Sequence, residues 1–129
     1  MKKVVCWIVP HENKTLVVQR AGEDMHMLWT FPSWKIEESD GSEEKATERE
    51  VFQETGVRVK AVRKLWERII EATWRPIAYR LCEYQSGAIN TTPNKEIAKV
   101  QWATKNDLLE LITTDIYAPV QEHLEKNLI

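Results

Sequence analysis

Glu50 and Glu54 stand four residues apart in the run REVFQETG, with Gln53 three after Glu50 and Arg49 immediately before it. On an α-helix, positions i, i+3 and i+4 share a face with Cβ atoms about 5–6 Å apart. Two carboxylates and one amide would then present oxygens from a single edge. Like charges at this spacing cost a few tenths of a kcal/mol, and an acidic face left to solvent is the ordinary meaning of such a run. Oxygen ligands on one edge are also what a hard cation such as Mg²⁺ takes, in an octahedron completed by water and substrate phosphates. Arg49 can bend back to orient a carboxylate. The run LWTFP precedes this segment, so the loop at Phe31 and Pro32 can offer backbone carbonyls to the same ion.

The elements that must hold these groups follow from the punctuation of the chain. Ser42 reads as an N-cap, Glu43 and Glu44 follow it, and the stretch to Thr55 is free of Gly and Pro. Gly56 supplies the stop. A helix over about 43–55 is predicted. KKVVCWIV and TLVVQR read as strands flanking the turn PHENK, a plausible hairpin. VRVKAVRKLWERII and WRPIAYRLCEYQ read as two long strands joined near Glu71 to Thr73, with Pro76 at an edge or bulge near that turn. AKVQWAT is a last strand, followed by helices over about 106–111 and 117–127. Strands and helices mix without strict alternation. The expected class is therefore α+β, with a mixed, largely antiparallel sheet and helices on its faces.

The whole chain sets the outer limits. At 129 residues a single domain over 1–129 is expected. The net charge of −2 carries no basic excess, so no duplex nucleic acid partner is expected, and an anionic ligand must be met by local charges or by metal. VVCWIVP is too short for a membrane span or a signal-peptide core, which leaves the cytoplasm as the default location and no membrane partner. Cys6 and Cys82 lie in apolar strand-like runs and read as reduced thiols, with one bridge between them as the alternative. His11, His26 and His123 are scattered without ligand spacing, which argues against zinc.

The segment FPSWKIEESDGSEEKATEREVFQETGV resembles the signature of the Nudix hydrolases, an Arg-Glu-apolar-any-Glu-Glu-any-Gly-apolar core preceded by a Gly-Gly turn and a loop. Arg49, Glu50, Val51, Glu54, Gly56 and Val57 match that core, and Lys35, Ile36 and Glu37 match the Lys-apolar-Glu after the turn. LWTFP and the opening strands are similar to the MutT-like branch, as is Glu96, six residues before Trp102. Three departures stand out. The Gly-Gly turn is Ser33-Trp34, the loop is one residue longer so that an upstream glutamate position falls on Gly41 beside Asp40, and the first glutamate of the pair is Gln53.

The resemblance implies a Nudix-like α/β/α sandwich and a Mg²⁺-dependent hydrolase, with Mn²⁺ able to substitute. The substrate implied is a small nucleoside di- or triphosphate or nucleoside-diphosphate derivative, cleaved at its pyrophosphate linkage. Glu50, Gln53, Glu54, Glu96 and the Ser33 carbonyl would hold metal, and Arg49 would orient Glu50. One of Glu50 and Glu54 would double as base, or Glu96, from its separate loop, would close the site or act as base. Arg20 and Lys35 would meet substrate, Trp7 and Trp34 would stack on a base, and Asp115 would read it, an N-cap being its alternative role. Trp29 is a weaker stacking candidate, while Trp66, Trp74 and Trp102 read as core or hairpin packing. Within the acidic run, Glu37 is the member expected to matter structurally, and Glu38, Asp40, Glu43 and Glu44 read as solvated. The departures also define a second reading, a degenerate domain that binds nucleotide without turnover. The oligomeric state is open, a homodimer included.

Overall fold

The computed structural model describes residues 3–21, 27–36, 41–90, 96–113 and 116–128. In chain order the elements are β1 (Lys3–Ile8), β2 (Pro10–His11), β3 (Lys14–Arg20), β4 (Trp29–Thr30), β5 (Ser33–Ile36), α1 (Glu43–Thr55), β6 (Arg58–Ile70), β7 (Arg75–Ser86), β8 (Ile97–Ala103), α2 (Lys105–Leu111) and α3 (Ala118–Asn127). One sheet runs β5-β1-β7-β6. In the other, β3 pairs with β2 and β4 and with β8. Every pairing is antiparallel except β1 with β7.

The strands are apolar on both faces because each face has a helical layer to cover it. Val5 and Trp7 of β1 join one buried cluster with Val51 of α1, Leu16, Val18 and Val100. The alternate residue Ile8 joins a second cluster with Tyr79, Leu108, Val120 and Leu124. Each fully buried aliphatic side chain contributes about 1.5–3 kcal/mol. The mixed, largely antiparallel α/β/α arrangement is thus the one expected.

Helix α1 begins and ends where the caps require. The Ser42 hydroxyl accepts from the Lys45 amide at 3.2 Å. Gly56 closes the helix at φ 83°, with its N–H on the Phe52 carbonyl. A Cβ at Gly56 would lie 2.9 Å from the Ala88 carbonyl oxygen, so glycine is required there for space as well as for φ.

Two expectations need correction. The long opening strands do not form one hairpin: β1 pairs with β5 and β7, and the two-residue β2 that follows it pairs with β3. The chain changes sheets at Val9, so both halves stay buried. Trp66 and Trp74 are not packed; they are 49% and 74% exposed on the β6–β7 hairpin. Among the described residues no strand pairs with the outer edge of β6, and Trp74 occupies the turn at φ 58°. Pro76 lies beside that turn, before β1 begins to pair at Ile77, so its missing N–H breaks no bond to β1.

Candidate active site

A cavity of about 290 Å³ opens over the C-terminal half of α1, lined by Trp34, Glu50, Gln53, Glu54, Glu96 and Ile97. Three elements build it. The helix turns Glu50, Gln53 and Glu54 to one edge while Val51 and Thr55 face the core. β5 places Trp34, and the start of β8 places Glu96 and Ile97. The spacing in the sequence therefore becomes one oxygen-lined edge, with an aromatic ring facing it.

Behind the carboxylates lies a buried cation. Arg20, only 6% exposed, ends β3 at a register shift. Its Nη2 donates to the Ser33 carbonyl at 2.7 Å and to the Ser33 hydroxyl at 2.9 Å. The same nitrogen sits 3.2 Å from Glu54 Oε1. Both of its hydrogens are engaged by Ser33, so the contact with Glu54 is ionic and Glu54 Oε1 is left buried without a hydrogen-bond donor. Burial pushes the Glu54 carboxyl up to about 7, against the Arg20 charge and a Ser33 backbone hydrogen bond that favour ionisation. The Glu50 and Glu96 charges push it in the same direction as burial.

The other acidic groups are held more loosely. Arg49 Nη2 lies 3.6 Å from Glu50 Oε1 at the surface, a pair worth under about 1 kcal/mol. Glu96 is anchored through its backbone, its carbonyl accepting from the Ala21 amide at 2.9 Å. Among the described residues, no three His, Cys, Asp or Glu side chains gather closely enough to enclose an ion alone. The residues nonetheless fit Mg²⁺. An orphaned buried carboxylate oxygen, a second carboxylate four residues away and an open cavity suit an ion that keeps waters and takes its remaining ligands from phosphate.

The sequence matches the NUDIX domain family over residues 1–124. The chain belongs to the Nudix family. A Nudix hydrolase from Nitrosomonas europaea superposes with a TM-score of 0.83 at 20% identity, covering 97% of this chain and 70% of that one. The Nudix domain of Shewanella oneidensis NrtR, in complex with ADP ribose, gives 0.78 at 20% identity, covering 100% and 89%. An ADP-ribose pyrophosphatase from Streptococcus suis gives 0.69 at 25% identity, covering 95% and 87%. No curated protein matches.

Within this Nudix domain several expected substrate contacts fall elsewhere. Trp7 cannot stack on a base: it is fully buried, and its indole N–H donates to Thr47 Oγ1 at 2.9 Å. Arg20 is buried and is not among the residues lining the cavity, and its Nη2 is held by Ser33 and Glu54. The Ser33 carbonyl, expected on a metal, accepts from Arg20. Lys35 is exposed, follows Trp34 in β5 and so points to the opposite face, away from the cavity lining. Trp29 is half-buried against the core. Asp115, Glu37, Glu38 and Asp40 lie outside the described residues.

Glu43 and Glu44 are not merely solvated. The Arg80 Nε meets Glu43 at 2.8 Å and its Nη2 meets Glu44 at 3.0 Å, while Lys3 Nζ adds a contact to Glu43 at 3.0 Å. Arg80 could have been found from sequence. It alternates with Ala78 and Cys82, both buried, which places it on an inward face where a charge requires a partner. The role of Arg20 could not, since a strand-end arginine reads equally as a surface charge. The cysteines are free, and burial pushes both thiols up to about 12.

Proposed function

We propose that this Nudix domain is a Mg²⁺-dependent hydrolase, with Mn²⁺ as a substitute, that cleaves the pyrophosphate linkage of a nucleoside di- or triphosphate or a nucleoside-diphosphate derivative. The observation that carries this reading is the meeting of Glu50, Gln53, Glu54 and Glu96 on one cavity faced by Trp34. Glu50 and Glu54 would hold the ion, with the Gln53 side-chain oxygen as an uncharged ligand. When bound, the ion supplies charge neutralisation on phosphate and lowers the pKa of a bound water. Arg49 orients Glu50. Glu96, on a strand start rather than the helix, would act as base for the attacking water or close the site. Trp34 offers a ring face to the base. The likeness to an ADP-ribose pyrophosphatase and to an ADP-ribose-bound Nudix domain makes ADP-ribose the first substrate to try.

The test is a panel of nucleoside triphosphates, nucleoside diphosphates and ADP-ribose with Mg²⁺ or Mn²⁺, reading released phosphate, pyrophosphate and nucleoside monophosphate. Turnover that EDTA abolishes supports hydrolysis. Binding without any product moves the domain to the degenerate, sensing role. Trp34 also provides a ligand readout: nucleotide should change the fluorescence of the parent, and Trp34→Phe should lose that component. An identical response from the mutant would remove Trp34 from the ligand site.

A further inference from the structure

We infer that Arg20 is the positioning residue of this site, a buried guanidinium that fixes Glu54 and the Trp34 strand for cation binding rather than a contact for phosphate. The inference rests on the reading that Glu54 holds the ion. Its basis is convergence. The Arg20 side chain reaches Ser33, next to Trp34, and Glu54 near the end of α1. The Arg20 amide donates to the Leu28 carbonyl at 2.8 Å, and the next amide, Ala21, binds the carbonyl of Glu96. Two consecutive residues at the end of β3 thus tie down all three segments that line the cavity.

The charge makes the case sharper. A cation beside an ion site repels the ion, so electrostatics alone would exclude arginine from this position. Burying a guanidinium is also unfavourable unless it is paired. What arginine offers is a planar, permanently charged fork that can hold two acceptors in fixed directions. Here one nitrogen engages both oxygens of Ser33 and faces Glu54 Oε1. The Ser33 hydroxyl is a partner that a glycine turn would lack.

The opposing signs give the test. Mn²⁺ binding to the full chain is measured alone by electron paramagnetic resonance, alongside melting in EDTA and, with nucleotide, kcat and KM. A bystander cation predicts that Arg20→Gln binds Mn²⁺ more tightly. Positioning predicts weaker binding, by roughly 10–100-fold as for other groups that orient metal ligands. Arg20→Lys keeps the charge but loses the reach and planar geometry that bring Nη2 to Ser33 and Glu54 at once, so it should be weakened too, and kcat should fall more than KM rises. Unchanged or tighter binding in Arg20→Gln overturns the inference, as does a loss confined to KM, which would return Arg20 to phosphate. If Arg20→Gln does not fold, Ser33→Ala keeps the charge and removes one acceptor. A several-fold weaker Mn²⁺ site with unaltered melting supports positioning, and no change overturns it. Failure of the parent to bind Mn²⁺ would overturn the metal-dependent reading and this inference together. A parent that binds well and variants that bind better would overturn the inference alone.

Discussion

The two ends of α1 carry the same residue type in opposite electrostatic settings. At the N-terminal end, Glu43 and Glu44 sit where the helix dipole favours negative charge, and Arg80 and Lys3 complete the neutralisation. Burial raises the Glu43 carboxyl, but the Arg80 and Lys3 contacts outweigh it and hold it below the usual carboxylate range. Toward the C-terminal end, Glu50 and Glu54 face the unfavourable end of the dipole, with no basic residue in the last turn. Glu54 is pushed up to about 7. One end is built for stability. The other holds carboxylates that burial and mutual repulsion disfavour, with Arg20 as a counter-charge beside Glu54.

The largest effect should come from neutralising the second end. Glu50→Gln/Glu54→Gln should lower any hydrolysis by at least about 100-fold, more than the loss of an orienting group costs, and should erase the Mg²⁺-dependent rise in melting temperature. The same variant should melt higher than the parent in EDTA above about pH 7, because burial and the neighbouring carboxylates disfavour ionised Glu54 in the folded state despite Arg20. A lower melting temperature would mean the two ends do not differ as described. Arg80→Ala should act in reverse, costing about 1.5–3 kcal/mol by removing one of the two cations on Glu43 and leaving Lys3 as its partner, with Mn²⁺ affinity unaltered. Denaturant unfolding and metal titration on the same sample check both halves.

Acid should separate the ends more finely. Glu43, with its folded pKa lowered, contributes stability that is present above the usual carboxylate pKa and fades as pH falls through the lowered value. Glu54, with its folded pKa raised to about 7, favours the folded state when protonated, so in EDTA its contribution becomes unfavourable as pH climbs from about 4.5 to about 7. Glu43→Gln should flatten the acid limb of a stability–pH curve and Glu54→Gln the limb approaching neutrality; swapped outcomes would reverse the assignment. The smallest effect is expected from Gln53→Glu, which adds one charge to the cavity edge and should tighten Mn²⁺ by roughly fivefold, about 1 kcal/mol at the effective dielectric of a partly open site. No gain would place the Gln53 side chain away from the ion.

The helix and its edge of oxygens were legible because both depend on local rules. Ser42, Gly56 and the spacing of Glu50, Gln53 and Glu54 are read from neighbours in the chain. The clamp on Glu54 was not, because Arg20 and Ser33 meet it only through pairing between distant strands. Trp7 misled for a related reason. Its strand is covered on both faces, and a tryptophan with a buried hydroxyl to satisfy its N–H belongs in the core. The sheet switch at Val9 also escaped, since a continuous apolar run looks the same whether one sheet or two receives it. Among the described residues, no helix is long and apolar enough to cross a membrane.

Gly56 changes how a mutational map of this domain should be interpreted. Its left-handed turn and the Ala88 oxygen within 2.9 Å of any added Cβ make it a steric lock between the helix end and the segment that follows β7. Activity screens would rank it beside Glu50 and Glu54, though it lines no part of the cavity. Ranking by tolerance alone would therefore merge two populations, one that lines the cavity and one that only lets the backbone pass. Expressed protein per cell, measured beside turnover, would pull them apart.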